Sequence, residues 1–433
     1  MSKPTFYISA PFDTYSGYGA RSRDIIKAII ELDKYDVKLI PQKWGDTTWG
    51  FCAKHEEWKF LWNHAVQGIP QGTQPDIWMQ ITIPNEFHPM GKFNIGCTAG
   101  IESTGCQGEW VVGLNRMNMN FVSSKHSKYV FENIEFDALD QAGKPTGEKI
   151  RNQKPIHVVF EGADLDIYKY LPSKDVKLNL DEIKESFCFL FVGMWMEGAI
   201  GHDRKNVGLM VKNFYETFKN RKGAKPALIL KASTGVDNHL SKDAIQEKVK
   251  DIRESVVGSD LPNVYLLQGD FTNQEMNELY NHPKVKAMVS HTKGEGYGRP
   301  LMEFCLSKKP VIASGWSGQL DFLNPQFAYL LPGKMENVHE SAANKWLLKE
   351  YQWFSVDQGH ATKAFKNVYN NYKKYNVSAK QQGHFIRTNF SKDKMKELVG
   401  KILDANIPDF PRQVDLKLPT INPGKNVELP KLN

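Results

Sequence analysis

Along the chain, apolar runs of strand length alternate with stretches whose apolar positions recur at helical spacing, the pattern of an α/β protein. Runs at 5–10 (TFYISA), 37–40, 76–83 (DIWMQITI), 95–102, 119–124 and 156–160 predict a first series of strands. A second series opens at 187–193 (FCFLFVG), apolar throughout, and continues at 227–231, 264–267, 285–289 and 310–313. After the first strand, Ile25, Ala28, Ile29 and Leu32 give an amphipathic helix one buried face. A helix-start signal opens a further helix at 272–280, and several helical stretches are expected within 341–400, with the last helix at 392–403. The polar, turn-rich segment 137–151 reads as a surface excursion and 171–186 as a polar linker. The aromatic stretch 44–62, with Trp44, Trp49, Phe51, Trp58, Phe60 and Trp62, reads as core or as an insertion over the sheet; a stacking surface for an acceptor is the functional alternative. Two domains are expected, 1–175 and 187–385, followed by a helical segment 386–405 and an extended tail 406–433 marked by five prolines. There is no internal repeat.

One stretch carries more than pattern: 290–318, SHTKGEGYGRPLMEFCLSKKPVIASGWSG. Gly294, Gly296 and Gly298 let the backbone turn sharply and approach a ligand closely. Pro300 suits a first helical turn, where its missing N–H costs nothing. The unit is strand, loop, helix, strand, and it places the loop at a C-terminal strand edge, where open α/β sheets bind ligands. Glu295 lies in the loop and Glu303 about one turn into the helix, so both carboxylates reach one cleft. Two glutamates at this spacing are common by chance; the glycines, the proline and the following strand are what make the arrangement specific. Near the N-terminus, the loop 11–21 between strand and helix forms a ready anion site containing Gly17 and Gly19. It is no Walker A loop, lacking Gly-Lys-Ser/Thr, and no dinucleotide fingerprint, because Ser22 stands where the third glycine belongs.

GEGYGRPLMEFCLSKKPVIAS resembles the nucleotide-sugar site of the retaining GT-B glycosyltransferases of family 4, whose pattern runs E-G-F-G, four residues, E-A, and a strand ending P-V-I-A-S. The likeness is close over 187–325 and loose over 1–170. It implies a GT-B fold: two Rossmann-like domains facing a central cleft, an acceptor-binding one and a nucleotide-sugar-binding one, with 386–405 crossing back onto the first. It implies that Glu303 grips the donor ribose and that Glu295 contacts the transferred sugar near its reacting carbon. Gly296, Tyr297 and Gly298 complete that loop. Gly17 and Gly19 would face the donor phosphates, and Gly318 sits in the second glycine turn, where backbone N–H groups can meet phosphate. Arg204 and Lys205 fit the basic pair that neutralises the departing diphosphate, while Met194 replaces the arginine usual after the strand glycine. Glu102, His88 and His126 lie near predicted loops of the first domain and are the candidates for acceptor contact. Asp164-Leu165-Asp166 matches a metal-binding spacing of another glycosyltransferase fold, but its context, EGAD, resembles a segment near the end of the family's first domain; no metal is expected.

A chain of 433 residues suffices for two such domains, and 41% hydrophobic with 24% charged residues is the balance of a globular protein. No apolar run approaches the ~20 residues of a membrane span, and Pro4 and Pro11 interrupt the only N-terminal candidate for a signal segment. Five scattered cysteines without CxxC spacing argue for a reducing compartment, the cytoplasm by default, and against structural zinc. A net charge of +7 suits a cleft that handles a nucleotide sugar, the expected co-substrate in place of any cofactor. It equally suits a polyanionic acceptor or peripheral contact with an anionic membrane. Three readings follow: sugar transfer to a glycan or other cytoplasmic hydroxyl, sugar transfer to a hydroxylated base in DNA, and a non-catalytic sugar-nucleotide-binding scaffold.

Overall fold

The computed structural model describes residues 3–235 and 238–410, so the expected proline-rich tail falls, beyond 410, outside the described residues. The first domain contains β1 (Thr5–Ala10), α1 (Gly17–Glu31), β2 (Asp36–Pro41), α2 (Phe51–Lys54), β3 (Ile77–Ile81), β4 (Phe93–Cys97), α3 (Gly108–Asn115), β5 (Met119–Val122), α4 (Lys125–Asn133), β6 (Glu135–Leu139), β7 (Pro145–Arg151) and β8 (Ile156–Val158). Six of these strands form a parallel sheet in the order β2-β1-β3-β4-β5-β8. The second domain contains β9 (Cys188–Met194), α5 (Val207–Phe218), β10 (Ala227–Ser233), α6 (His239–Glu254), β11 (Val264–Leu267), α7 (Asn273–Asn281), β12 (Val285–Ser290), α8 (Arg299–Cys305), β13 (Val311–Ser314), β14 (Tyr329–Leu331), β15 (Gly333–Asn337), β16 (Gln352–Val356), α9 (Gln358–Asn370) and α10 (Tyr372–Asn389). Its parallel sheet runs β11-β10-β9-β12-β13-β14, so the winding reverses between β9 and β12 and opens a crevice there.

Burial explains the apolar run of β9. Phe189 and Phe191 enter the core beneath α5 and α9, while Cys188 and Leu190 enter the core beneath α7 and α8. A strand covered on both faces has no solvent side on which to place polar residues. The final helix, α11 (Lys392–Asn406), leaves the second domain and buries Met395, Val399 and Leu403 against Ile25 and Ile29 of α1. That return completes the expected architecture of two Rossmann-like domains with a C-terminal helix on the first.

Three expectations change in detail. The excursion at 137–151 belongs to an exposed antiparallel hairpin, β6–β7, whose turn closes as Asp140 accepts the N–H groups of Ala142 and Lys144 at 2.8 and 2.9 Å. The several helices expected within 341–400 form as α9, α10 and the start of α11, while 341–357 completes the hairpin β15–β16, which reaches across to the first domain where Thr104 N–H donates to the Gln352 carbonyl at 2.8 Å. Helix α1 begins at Gly17, so Gly17 and Gly19 form its first turn instead of a preceding loop, with Ser16 as N-cap. The linker is irregular but anchored: Leu180 and Ile183 enter the second core, and Glu278 of α7 accepts the N–H groups of Lys177 and Leu178. All five cysteines are buried and unpaired. Among the described residues no helix is long and apolar enough to cross a membrane.

Close backbone packing sets one sharp requirement. A Cβ on Gly113 of α3 would stand 1.8 Å from the Pro84 carbonyl oxygen. Gly113→Ala is therefore expected to lower unfolding free energy by about 1–3 kcal/mol in denaturant melts. Gly68→Ala, which would meet nothing within 4 Å, should stay within about 0.5 kcal/mol of the parent.

Candidate active site

Two loops flank the crevice where the strand order reverses. The loop after β9 ends in Arg204-Lys205-Asn206, where Asn206 takes a left-handed conformation (φ 54°) and Asp203 Oδ2 accepts the N–H of Val207 to start α5. The loop after β12 is stitched to it, since Lys293 N–H donates to the Arg204 carbonyl at 2.7 Å and Arg204 Nη1 to the Gly294 carbonyl at 2.9 Å. These bonds bring Lys205 Nζ to 2.5 Å from Glu295 Oε1 and Arg204 Nη1 to 3.6 Å from Glu295 Oε2. Glu102 of the first domain joins the cluster, 3.7 Å from Arg204 Nη1. Burial alone would raise the Glu295 pKa, but Lys205 and Arg204 outweigh it and hold the carboxyl below the ordinary glutamate value. Burial likewise opposes the charge on Arg204, and the carboxylates of Glu102 and Glu295 overcome it.

The glycines of this loop serve a contact the sequence did not reveal. A Cβ on Gly294 would stand 1.9 Å from the Glu102 carbonyl oxygen, and one on Gly100 would stand 2.0 Å from the Gly296 Cα. Backbone thus lies on backbone across the two domains, and Ser123 Oγ donates to the Gly296 carbonyl at 3.0 Å. Gly298 alone of the three has a positive φ, 99°, at the turn into α8. Gly318 N–H is already used, donating to the Glu295 carbonyl at 3.0 Å. Tyr297 is buried against Phe322 with its hydroxyl on Met302 Sδ, a packing position.

Helix α8 carries the second half of the site. Arg299 Nε donates to Glu303 Oε1 at 2.7 Å, and Arg299 Nη1 crosses to Asp24 Oδ2 of α1 at 2.8 Å. Lys392, at the start of α11, holds Asp24 Oδ1 at 3.0 Å and Asp164 Oδ2 at 3.1 Å. A cavity of about 630 Å³, ample for a small ligand, opens beside this network and is lined by Gly17, Arg23, Trp58, Tyr168, Arg299 and Glu303 among others. Burial raises the Glu303 pKa against the pull of Arg299. At Asp24 burial pushes the same way, yet Lys392 and Arg299 together win and the carboxyl sits below its ordinary value. Asp164, first of the D-x-D pair, spends its other oxygen on the N–H groups of Asp166 and Ile167.

The structure therefore gathers Glu295, Arg204, Lys205 and Glu102 in one cluster, and Glu303 with Gly17 in the cavity beside it. Gly19 packs under the Thr14 carbonyl, which a Cβ would approach to 2.3 Å. His126 is half-buried at the domain contact, with Nε2 3.2 Å from the Ser103 carbonyl and its ring edge-on to Trp316; loss of water pushes its pKa down to about 4. His88 is exposed, its Nδ1 2.7 Å from the Glu86 carbonyl in its own loop, and is not among the residues lining the cavity. Sequence reasoning missed Asp24, Arg299 and Lys392. The signal for Asp24 was legible: it lies four residues before Ala28, on the face of α1 that the apolar residues bury.

Two doubly wound domains closing on a common cleft define the GT-B fold. Solved structures of that architecture superpose over nearly the whole chain. Sucrose-phosphate synthase from Thermosynechococcus elongatus has 11% identity and a TM-score of 0.59, covering 93% of this chain and 98% of its own. A glycosyltransferase from Rickettsia africae has 12% identity and a TM-score of 0.58, covering 95% and 100%. The Anabaena protein Alr3699/HepE in complex with UDP-glucose has 13% identity and a TM-score of 0.58, covering 93% and 99%. At such identities the likeness establishes the fold alone. No protein-family model and no curated protein sequence matches the chain.

Replacing Asp24 by Asn leaves Arg299 and Lys392 without their shared carboxylate, at an expected cost of about 3 kcal/mol in chemical melts. Because the Asp24 pKa is depressed in the folded state, its stabilisation is complete above the ordinary aspartate value of ~3.9 and fades as pH falls through the lower folded value. The gap between parent and variant should be constant from pH 7 to about pH 4 and shrink below.

Proposed function

We propose that the chain is a retaining glycosyltransferase of the family-4 type, moving a hexosyl or pentosyl group from a nucleotide sugar to an acceptor hydroxyl without a metal ion. The observation that carries this reading is the Glu295 carboxylate clasped by Lys205 and Arg204 at the crevice where the strand order reverses. In this reading the donor lies mainly on 187–385 and the acceptor on 1–175, with 386–405 tying the two together. A donor diphosphate laid across the crevice offers Lys205 and Arg204 fresh negative charge, and Glu295, released from them, meets hydroxyls of the donor sugar. Glu303, in the adjoining cavity, takes the ribose hydroxyls, and Gly17 borders the same space.

The bond from the anomeric carbon to the diphosphate oxygen breaks with its electron pair on that oxygen. The two cations stabilise the charge that develops there. The acceptor hydroxyl bonds to the anomeric carbon on the face the diphosphate leaves, its proton passing to the departing phosphate, so configuration is retained. Closure of the two domains, already in backbone contact at Gly100 and Gly296, keeps water from the reacting carbon. The buried free thiols suit a reducing compartment, and a cytoplasmic site of action belongs to this reading. A scaffold that binds nucleotide sugars without transferring them is the second reading, favoured by Met194 where the family keeps an arginine.

Neighbours solved with UDP and UDP-glucose make uridine-diphosphate sugars the first donors to screen by thermal shift, with GDP-, ADP- and CMP-sugars beside them. Glu303→Ala should weaken binding of the best donor roughly 10- to 100-fold through loss of a charged hydrogen-bond partner. Glu295→Ala should lower turnover, read as donor hydrolysis or transfer, by about 100-fold with a smaller effect on binding. Unchanged binding and turnover in both variants would overturn the site, and donor binding without any turnover in the parent would favour the scaffold.

A further inference from the structure

The positive charge of this protein is concentrated in one stretch of the chain. Residues 358–391, which span α9 and α10, carry five lysines and one arginine and neither aspartate nor glutamate. Outside them the chain is almost neutral, with 50 cations against 49 acids. Solvated surfaces ordinarily interleave the two signs, and the rest of this molecule does so through many surface ion pairs. Lys363 and Lys366 on α9, with Lys373, Lys374, Lys380 and Arg387 on α10, are all exposed, and among the described residues none is paired with a carboxylate.

Packing leaves these side chains in solvent without putting all of them on one surface: the apolar residues of α9 join the core that holds Phe189 and Phe191, and Ile386 of α10 joins the core that holds Cys188 and Leu190. Helix α9 buries Ala361, Ala364, Phe365 and Val368, and α10 buries Ala379, Gln382, Gly383 and Ile386. Gly383 lies so close to α8 that a Cβ would stand 2.7 Å from the Cys305 carbonyl oxygen. The cations occupy exposed sides of each helix. Lys373, Lys380 and Arg387 are seven residues apart, two helical turns, so they form one stripe with a repeat of about 10.5 Å. That repeat is close to three base-pair rises of ~3.4 Å. A groove of about 530 Å³ runs beside the stripe, lined by Phe327, Lys380, His384, Phe385 and Thr388.

The rest of the face decides what kind of polyanion fits. A helix that lies on a bilayer turns Trp, Phe or Leu toward the lipid. Here Val377 is the one large hydrophobic side chain exposed on 358–391 among the described residues, and the cations are interspersed with Asn370, Gln381, Thr388 and Asn389. Cations with amide and hydroxyl donors, and almost no exposed apolar surface, are the composition that grips phosphodiester backbone. We propose that the exposed side of α10 carrying Lys373, Lys380 and Arg387 is a docking surface for nucleic acid, held through its phosphates without reading base sequence. This surface lies on α10 and stands whether or not the cleft transfers a sugar.

The test is fluorescence anisotropy of a labelled 20-base-pair duplex DNA with the full chain across 25–200 mM salt. Three phosphate contacts from Lys373, Lys380 and Arg387 predict a slope of about −3 in log affinity against log salt. The triple variant Lys373→Glu, Lys380→Glu, Arg387→Glu should bind at least tenfold more weakly and flatten the slope by about 3, with an unchanged melting temperature because all three side chains are exposed. The same charge reversal at Lys144, Lys242 and Lys349, on other surfaces, should leave most of the affinity in place. No binding at 25 mM salt would overturn the proposal. So would full retention of binding by the α10 variant, equal loss in the control, or preference for phosphatidylserine vesicles over DNA. The milder pair Lys380→Ala, Arg387→Ala provides the same readout, a loss of affinity with a shallower slope, should the triple variant fail to fold.

Discussion

Three distant parts of the chain meet at one buried carboxylate. Asp24, on the first helix, is shared by Arg299 from the helix after the glycine loop and by Lys392 from the helix that returns at the end. Taking an aspartate out of water is costly, and here two cations from elsewhere in the chain are needed to offset it. The relative placement of the two domains is therefore tied to charge compensation as well as to apolar packing. Backbone contact at Gly100, Gly294 and Gly296 fixes the separation of the domains, and Asp24 fixes how α8 and α11 stand on α1.

That arrangement divides the cleft into two adjoining regions with different electrostatics. Around Glu295 two cations face two carboxylates, and the buried glutamate stays ionised because the cations outweigh its loss of water. Around Glu303 the cation Arg299 is divided with Asp24, so burial prevails over Arg299 and the Tyr168 hydroxyl and the carboxyl is raised. Two glutamates on one short loop-helix unit thus acquire opposite shifts from their surroundings alone. The first is suited to holding charge next to a reacting centre, the second to exchanging hydrogen bonds with neutral hydroxyls. Away from both, α9 and α10 present unbalanced positive charge to solvent.

Much of this was legible in the residues, for a physical reason: strand and helix periodicity, caps and turn glycines are properties of a few consecutive positions. The alternation of apolar runs announced two α/β domains. The order of glycines, proline and glutamates in 290–318 announced the loop, the helix and the paired carboxylates. The polar segment 137–151 and the stretch 341–357 were harder, because short exposed hairpins lack a buried face and so leave no clear period.

What tertiary structure decided was partnership. Nothing in the neighbourhood of Gly294 or Gly296 along the chain says that Glu102 and Gly100 will lie against them, since that contact needs both domains in place. Arg299 reads as an ordinary helix-start residue until Asp24, hundreds of positions earlier, is brought to 2.8 Å. Histidines His88 and His126 look alike as loop candidates; folding half-buries His126 between the domains and leaves His88 in solvent. The sequence by itself determined which elements form and which chemical groups line the strand edges, because those follow from local sterics and solvent preference. Distance, burial and the sign of each pKa shift waited on the assembled fold, because they depend on charges and backbone that only long-range packing brings together.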